Sequence, residues 1–377
     1  MKKKILEGIK RQRRERGLKT FIAVEALSHS FAAYSPKPSL PSRAFMGLLI
    51  AFVFISSAVF AQGQAGMDIA TLKAGVGARA LGMGGAFTAV ADNADAPYWN
   101  PAGLGTVDKN EITTMQTRLS TDADHYYVSY VRPALGGTLG ISWIQVGLGY
   151  ITQTSAEVDE HNEVQNISVF SYFSNAYMLS YGRKLNDRIS IGLTAKYLTS
   201  DMFSISGGQG YGYSLTPGVL FVLRRAEEKR EMKREMGKES LTHFSSHTSF
   251  PTSPNSQLSS LTLGIKIDEL INQQTWGTGT VEQVPPKLRL GIAYRSPNPG
   301  LFAIDISQIM KSGYAAEAAV GYEWARDGLS IRVGYNEGGL SAGAGFQSGH
   351  ARLDYAYVTQ QSLSRDNVHR VSLSGIW

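Results

Sequence analysis

The sequence predicts an all-β fold: a transmembrane antiparallel β-barrel of about fourteen strands, preceded by a Gly/Ala-rich plug segment. Three observations predict it. Apolar and polar residues alternate with a period of two through much of residues 110–377, as in half-buried strands. The alternating runs are about ten residues long, enough to cross a bilayer when tilted. Tyr and Trp gather towards run ends, as in Tyr126, Tyr127, Trp143, Tyr294, Tyr322, Trp324, Tyr355 and Tyr357. Interfacial girdles have this pattern, although ordinary sheets are also rich in aromatics. A soluble sandwich would share only the alternation.

In chain order, residues 1–61 read as a basic arm and a secretory signal. The arm MKKKILEGIKRQRRERGLK is explained most simply by an over-extended translation start. An apolar run from Ala44 to Ala61 follows Arg43, and Val59-Phe60-Ala61 offers a cleavage site. Ser56, Ser57 and this small-residue exit favour cleavage over a retained membrane anchor. Residues 62–109 form the expected plug and 110–377 the barrel. Fourteen strands are expected: 110–118, 123–132, 136–147, 171–184, 188–199, 211–223, 259–267, 286–295, 301–309, 314–324, 328–336, 340–347, 350–358 and 368–377. An even count suits a single-chain barrel. The alternation is plain at Ile189, Ile191, Leu193, Ala195 and Tyr197 against Ser190, Gly192, Thr194 and Lys196. Links after even strands are short and turn-like, while 148–170, 200–210, 268–285 and 359–367 are longer. Short periplasmic turns and longer outer loops give this asymmetry. One link departs from it: 224–258 joins a charged run, RRAEEKREMKREMGKE, to a Ser/Thr/His/Pro-rich tract and reads as a low-complexity insert.

Charge and composition remove several function classes. The formal charge is +6, but eleven Lys/Arg and three Asp/Glu of it belong to residues 1–61. The remainder is slightly acidic, so the folded body has no basic footprint for nucleic acid. Cysteine is absent, which removes disulfides and thiolate chemistry. The seven His are scattered without metal-ligand spacing. Gly75-Val76-Gly77-Ala78-Arg79-Ala80 matches a dinucleotide fingerprint formally, but Ile69–Ala74 is too short and polar to be its strand. No nucleophile elbow occurs. No catalytic residue, cofactor or metal is expected, and the chain is not expected to be an enzyme.

Residues 72–104 contain GARALGMGGAFTAVAD and end in YWNPAGL. This segment closely resembles the N-terminal region of the PorV/PorQ family, within the wider FadL-like group of outer-membrane proteins. The C-terminal LSIRVGYNEGGLSAGAGF, ARLDYAYV and HRVSLSGIW are also similar to it. The resemblance implies a fourteen-stranded barrel in the cell outer membrane with an N-terminal plug. It implies that Gly82, Gly84, Gly85, Asp92, Asn100, Pro101, Ala102 and Gly103 form the plug motif, in a structural role. Gly at these positions permits tight packing and positive φ, and Asn100-Pro101 favours a turn. The final strand, with Val371, Leu373 and terminal Trp377, resembles the signal read by barrel-assembly machinery.

The resemblance implies a part in protein secretion or surface attachment, of a type IX-like kind, with secretion-system subunits or exported proteins as partners. The alternative is FadL-like transport of hydrophobic small molecules; outer-membrane lipids are partners in both cases. Lys196, Lys266, Arg289, Arg332, Arg352, Asp354 and Arg370 fall on polar strand faces and are expected in the lumen. Some of these Arg residues are expected to pair with Asp92 or Asp95 and hold the plug.

Overall fold

In the computed structural model, which describes residues 70–119, 123–158, 161, 164–203, 205–225, 260–297, 299–359 and 367–377, the two-residue alternation becomes an inside and an outside. The strands are β1 (Glu111–Arg118), β2 (Asp124–Ala134), β3 (Gly137–Val158), β4 (Val164–Lys184), β5 (Ile189–Phe203), β6 (Gln209–Arg225), β7 (Ser260–Asp268), β8 (Ile271–Trp276), β9 (Val281–Glu282), β10 (Lys287–Ser296), β11 (Gly300–Ile309), β12 (Glu317–Arg326), β13 (Leu329–Asn336), β14 (Gly339–Ser348), β15 (Ala351–Val358) and β16 (Val368–Ile376). Neighbouring strands pair antiparallel, and β1 pairs with β16. Fourteen strands, β1–β7 and β10–β16, close the wall, so no long edge is left in it. On β16, Val368, Arg370, Ser372 and Ser374 are buried inward, while Val371 and Leu373 stand outward, 47% and 54% exposed. Outward Leu329, Ile331, Val333 and Tyr335 on β13 likewise meet the lipid that an apolar exterior requires.

The short links follow from their residues. Leu135–Gly136 and Asp327–Gly328 both have positive φ at each position, the type I′ geometry that matches strand twist. The longer links differ from expectation in two places. Residues 148–158 and 164–170, expected as loop, extend β3 and β4 into a two-stranded ribbon beyond the wall. Its register shifts between Leu148 and Ile151, where Tyr150 has positive φ. With solvent on both faces, this ribbon carries no one-sided apolar pattern to reveal it. Residues 268–285, also expected as loop, contain the β8–β9 hairpin, which continues the wall alongside β6. Its polar INQQTW is held instead by Asn272, whose side chain bonds the backbone of Glu269 and Val284.

Tyr127 is another correction. Its ring points inward, fully buried, and its hydroxyl donates to the Ala94 carbonyl. Strand β6 runs to Arg225, slightly into the expected insert; the expected signal, residues 62–69 of the expected plug, the remaining insert and most of 359–367 lie outside the described residues.

Candidate functional site

Residues 70–106 lie against the inner faces of strands on all sides of the barrel. Their backbone turns often: α1 (Ala70–Lys73), α2 (Ala78–Gly82), α3 (Ala96–Trp99) and a 3₁₀ turn (Pro101–Thr106) are all short. Gly84 and Gly85 have positive φ, which side chains resist. Gly84 rests on the Tyr335 backbone and Gly85 lies under the Trp99 ring. Asn100 is fully buried and satisfied: its Oδ1 accepts from Ala102 N at 3.1 Å, and its Nδ2 donates to Thr88 O at 2.8 Å. That side chain caps the 3₁₀ turn that Pro101 begins. Ala102 is buried within the turn, and Gly103 has the Ala91 carbonyl where a Cβ would stand. Gly82 lies on Gly343 and Arg332.

The wall receives this segment at three glycine patches. Gly182, Gly192 and Gly218 are register neighbours on β4, β5 and β6, beneath Asn100 and Pro101. Gly264 and Gly291 pair beneath Thr88 and Ala89. Gly321 and Gly334 pair beneath Met83 and Gly84. A Cβ at each would collide with the segment, mostly with its backbone, so the wall and segment are in direct backbone contact. In the sequence these glycines are scattered singly through seven strands; only the register assembles them.

Charges secure one side. Arg79 makes a bidentate pair with Glu323, at 2.8 and 2.9 Å, and also bonds Asp92. Asp92 reaches the wall through Arg295 at 3.0 Å. Arg332 joins Glu323 at 2.6 Å and Asp354 at 2.7 Å, and Arg352 joins Asp354 and Glu111. The expected Arg332-to-Asp92 contact is therefore indirect, through Glu323 and Arg79. Asp95 makes no ion pair among the described residues and bonds Asn93 instead. Burial pushes its carboxyl up to about 6, against a partial pull downward from Arg352. Elsewhere Lys196 pairs with Glu269, and Lys266 and Arg289 pair with Asp268. Arg370 is buried with no carboxylate partner among the described residues, donating from Nη1 to Ala74 O at 2.8 Å. The sequence singled out neither Arg79, Glu323 nor Arg295 for this network; the inward parity of Glu323 on β12 was the available signal.

The inner face of β1–β5 also carries an apolar strip. Inward Met115, Tyr127, Val131, Ile144, Ala176, Met178 and Leu198, on β1–β5, form one buried cluster with Val76, Phe87, Trp99 and Leu104. Polar bonds that tie residues 70–78 here include Thr71 to Ser174 at 3.4 Å, Tyr98 to Leu72 O at 2.5 Å, Trp99 to Val76 O at 2.9 Å, Ala78 N to Ser372 at 2.9 Å, and Arg370 to Ala74 O. Among the described residues no cluster of three or more His, Asp or Glu has metal-binding geometry. At the chain end, Trp377 stacks on Tyr130 at 6.1 Å, beside the β1–β16 seam that carries Val371 and Leu373.

No protein-family model matches the chain, and no curated protein does. Solved structures with similarity include the toluene transporter TodX of Pseudomonas putida, 11% identical, covering 80% of this chain and 97% of that one with a TM-score of 0.48. The toluene transporter TbuX of Ralstonia pickettii is 13% identical, covers 80% and 97%, and has a TM-score of 0.47. A FadL homologue of Pseudomonas aeruginosa is 10% identical, covers 77% and 95%, and has a TM-score of 0.42.

Proposed function

We propose that this chain is an outer-membrane barrel that passes small hydrophobic molecules through its interior, a FadL-like transport role. The observation that carries this reading is the apolar strip on the inner wall of β1–β5. A water-filled porin has a polar interior. Here Met115, Ile144, Ala176, Met178 and Leu198 make a continuous buried inner surface whose natural contact is another apolar group. Residues 70–77 cover part of it and lie outside the Arg79–Glu323 network and the glycine patches, which hold residues 79–106. The hydrophobic ligand would displace the former and leave the latter in place. The test is uptake of naphthalene into liposomes containing the full barrel. Met178→Glu puts an unpaired charge on the strip and is expected to reduce uptake about tenfold or more. The outward Leu179→Glu, carrying the same charge to the other face, serves as the control. Equal uptake by wild type, Met178→Glu and empty liposomes would refute the reading, provided the barrels show normal heat-modifiable migration.

A second reading, the PorV/PorQ-type role in secretion or surface attachment, has one observation in its favour. The β3–β4 ribbon projects beyond the wall with exposed Val164, Ile167 and Val169. Such a ribbon suits contact with another polypeptide. Deleting residues 152–168 should then abolish recovery of partner proteins while leaving naphthalene uptake intact.

A further inference from the structure

The outer surface of β3–β6 carries a feature that neither lumen nor ribbon explains. Strand register sets Trp143, Tyr177, Tyr197 and Tyr213 in one outward row. On one side of it lie the apolar Ile141, Leu179, Ala195 and Leu215, as a lipid contact requires. On the other, towards the outer loops, runs a polar row of Gln145, Asn175 and Thr199 that ends at Tyr211. This row borders a recess of about 530 Å³, in the size range of small-molecule sites.

The polar row is fixed by its own bonds. Asn175 Oδ1 accepts from Trp143 Nε1 at 3.2 Å and from Gln145 Nε2 at 3.0 Å. Its Nδ2 donates to Thr199 Oγ1 at 3.4 Å. These contacts orient the amides and leave acceptor capacity on the Gln145 carbonyl and the Thr199 hydroxyl. Asp201 adds a carboxylate that has no ion pair among the described residues. Facing them, Phe173 and Phe203 meet edge to face at 5.8 Å. Gly147 makes room for this arrangement, because a Cβ there would strike the Phe173 ring at 2.6 Å.

The geometry points to a binding site for the neutral sugar headgroup of an outer-leaflet glycolipid. Sugar hydroxyls donate to carboxylate and amide oxygens, and the C–H face of a sugar ring packs on aromatic faces. Both surfaces are here, side by side. None of the side chains lining the recess is cationic, so a phosphate headgroup would lack the partners it needs. Acyl chains of the same lipid would run past the aromatic row onto Ile141, Leu179 and Leu215. The site is independent of passage through the lumen.

The test uses the full chain in phosphatidylethanolamine nanodiscs, with retained lipid read by native mass spectrometry. Monoglucosyl diacylglycerol and phosphatidylglycerol of identical acyl chains are supplied equally, and maltose is supplied separately. The glucosyl lipid is expected to be retained about tenfold over phosphatidylglycerol, the effect of one or two charge-assisted hydrogen bonds. Asp201→Ala and Phe203→Ala, both outward-facing, should each reduce it to the phosphatidylglycerol level with barrel migration unchanged. Equal retention of the two lipids, or a preference surviving both variants, would overturn the site. Retention of maltose as strong as that of the glucosyl lipid would overturn the lipid as its source.

Discussion

Arg79 carries the heaviest electrostatic load among the described residues of the 70–106 segment. Three of its hydrogen bonds reach two carboxylates, Asp92 on its own segment and Glu323 on the wall. Removing it leaves Glu323 with Arg332 but weakens the compensation of a buried charge. Arg79→Met is therefore expected to destabilise the seated segment by about 3–5 kcal/mol, the usual effect of breaking a buried pair. Limited proteolysis of folded barrels should then cut within residues 70–106, where wild type resists. Asp95 gives a pH-dependent counterpart. Its folded pKa of about 6 lies above the ordinary 3.8, so the native state holds the proton more tightly and stability falls as pH rises between those values. Asp95→Asn should abolish that dependence and stabilise the barrel by about 3 kcal/mol at pH 7 and above. Urea unfolding at pH 4.5 and 7.5 measures both effects; an unchanged pH slope in the variant would contradict the assignment.

Among the elements, the strands were legible because one face meets lipid and the other does not. Ile189 to Tyr197 on β5 shows how little more was needed: five alternate apolar residues gave its start and its parity, although the strand continues past the expected residue 199 to Phe203. The same logic put Arg332, Arg352 and Arg370 inside, without revealing their partners, because partner choice depends on which strands are neighbours. The glycine patches were illegible for that reason too. Gly321 and Gly334 are ordinary strand glycines until register pairs them beneath Met83 and Gly84. Gly334→Val should push the segment off the wall, with an overpacking cost of roughly 3 kcal/mol or more. Gly328→Ala, at a turn remote from the segment, should leave seating unchanged, although its positive φ costs some stability of its own. Protease protection of residues 78–106 distinguishes the two; equal protection would mean the patches do not seat the segment.

Across the whole molecule, the interior combines a fixed, charged region with an apolar strip on β1–β5. The closed wall and lipid-facing exterior follow from composition and period, whereas this combination needed the three-dimensional pairing of β1–β5 with residues 70–77. Absence of native cysteine makes it testable by a single cross-link. The Thr71 and Ser174 hydroxyls lie 3.4 Å apart, so Cys at both positions can tie α1 to β4 over the strip. The decisive measurement is naphthalene uptake by liposomes carrying Thr71→Cys/Ser174→Cys, oxidised and then reduced. Uptake is expected to be lost in the oxidised barrel and restored by reductant, with each single variant behaving as wild type. Uptake that is undiminished by a fully formed disulfide would show that residues 70–77 need not move, and would contradict the apolar strip as the path.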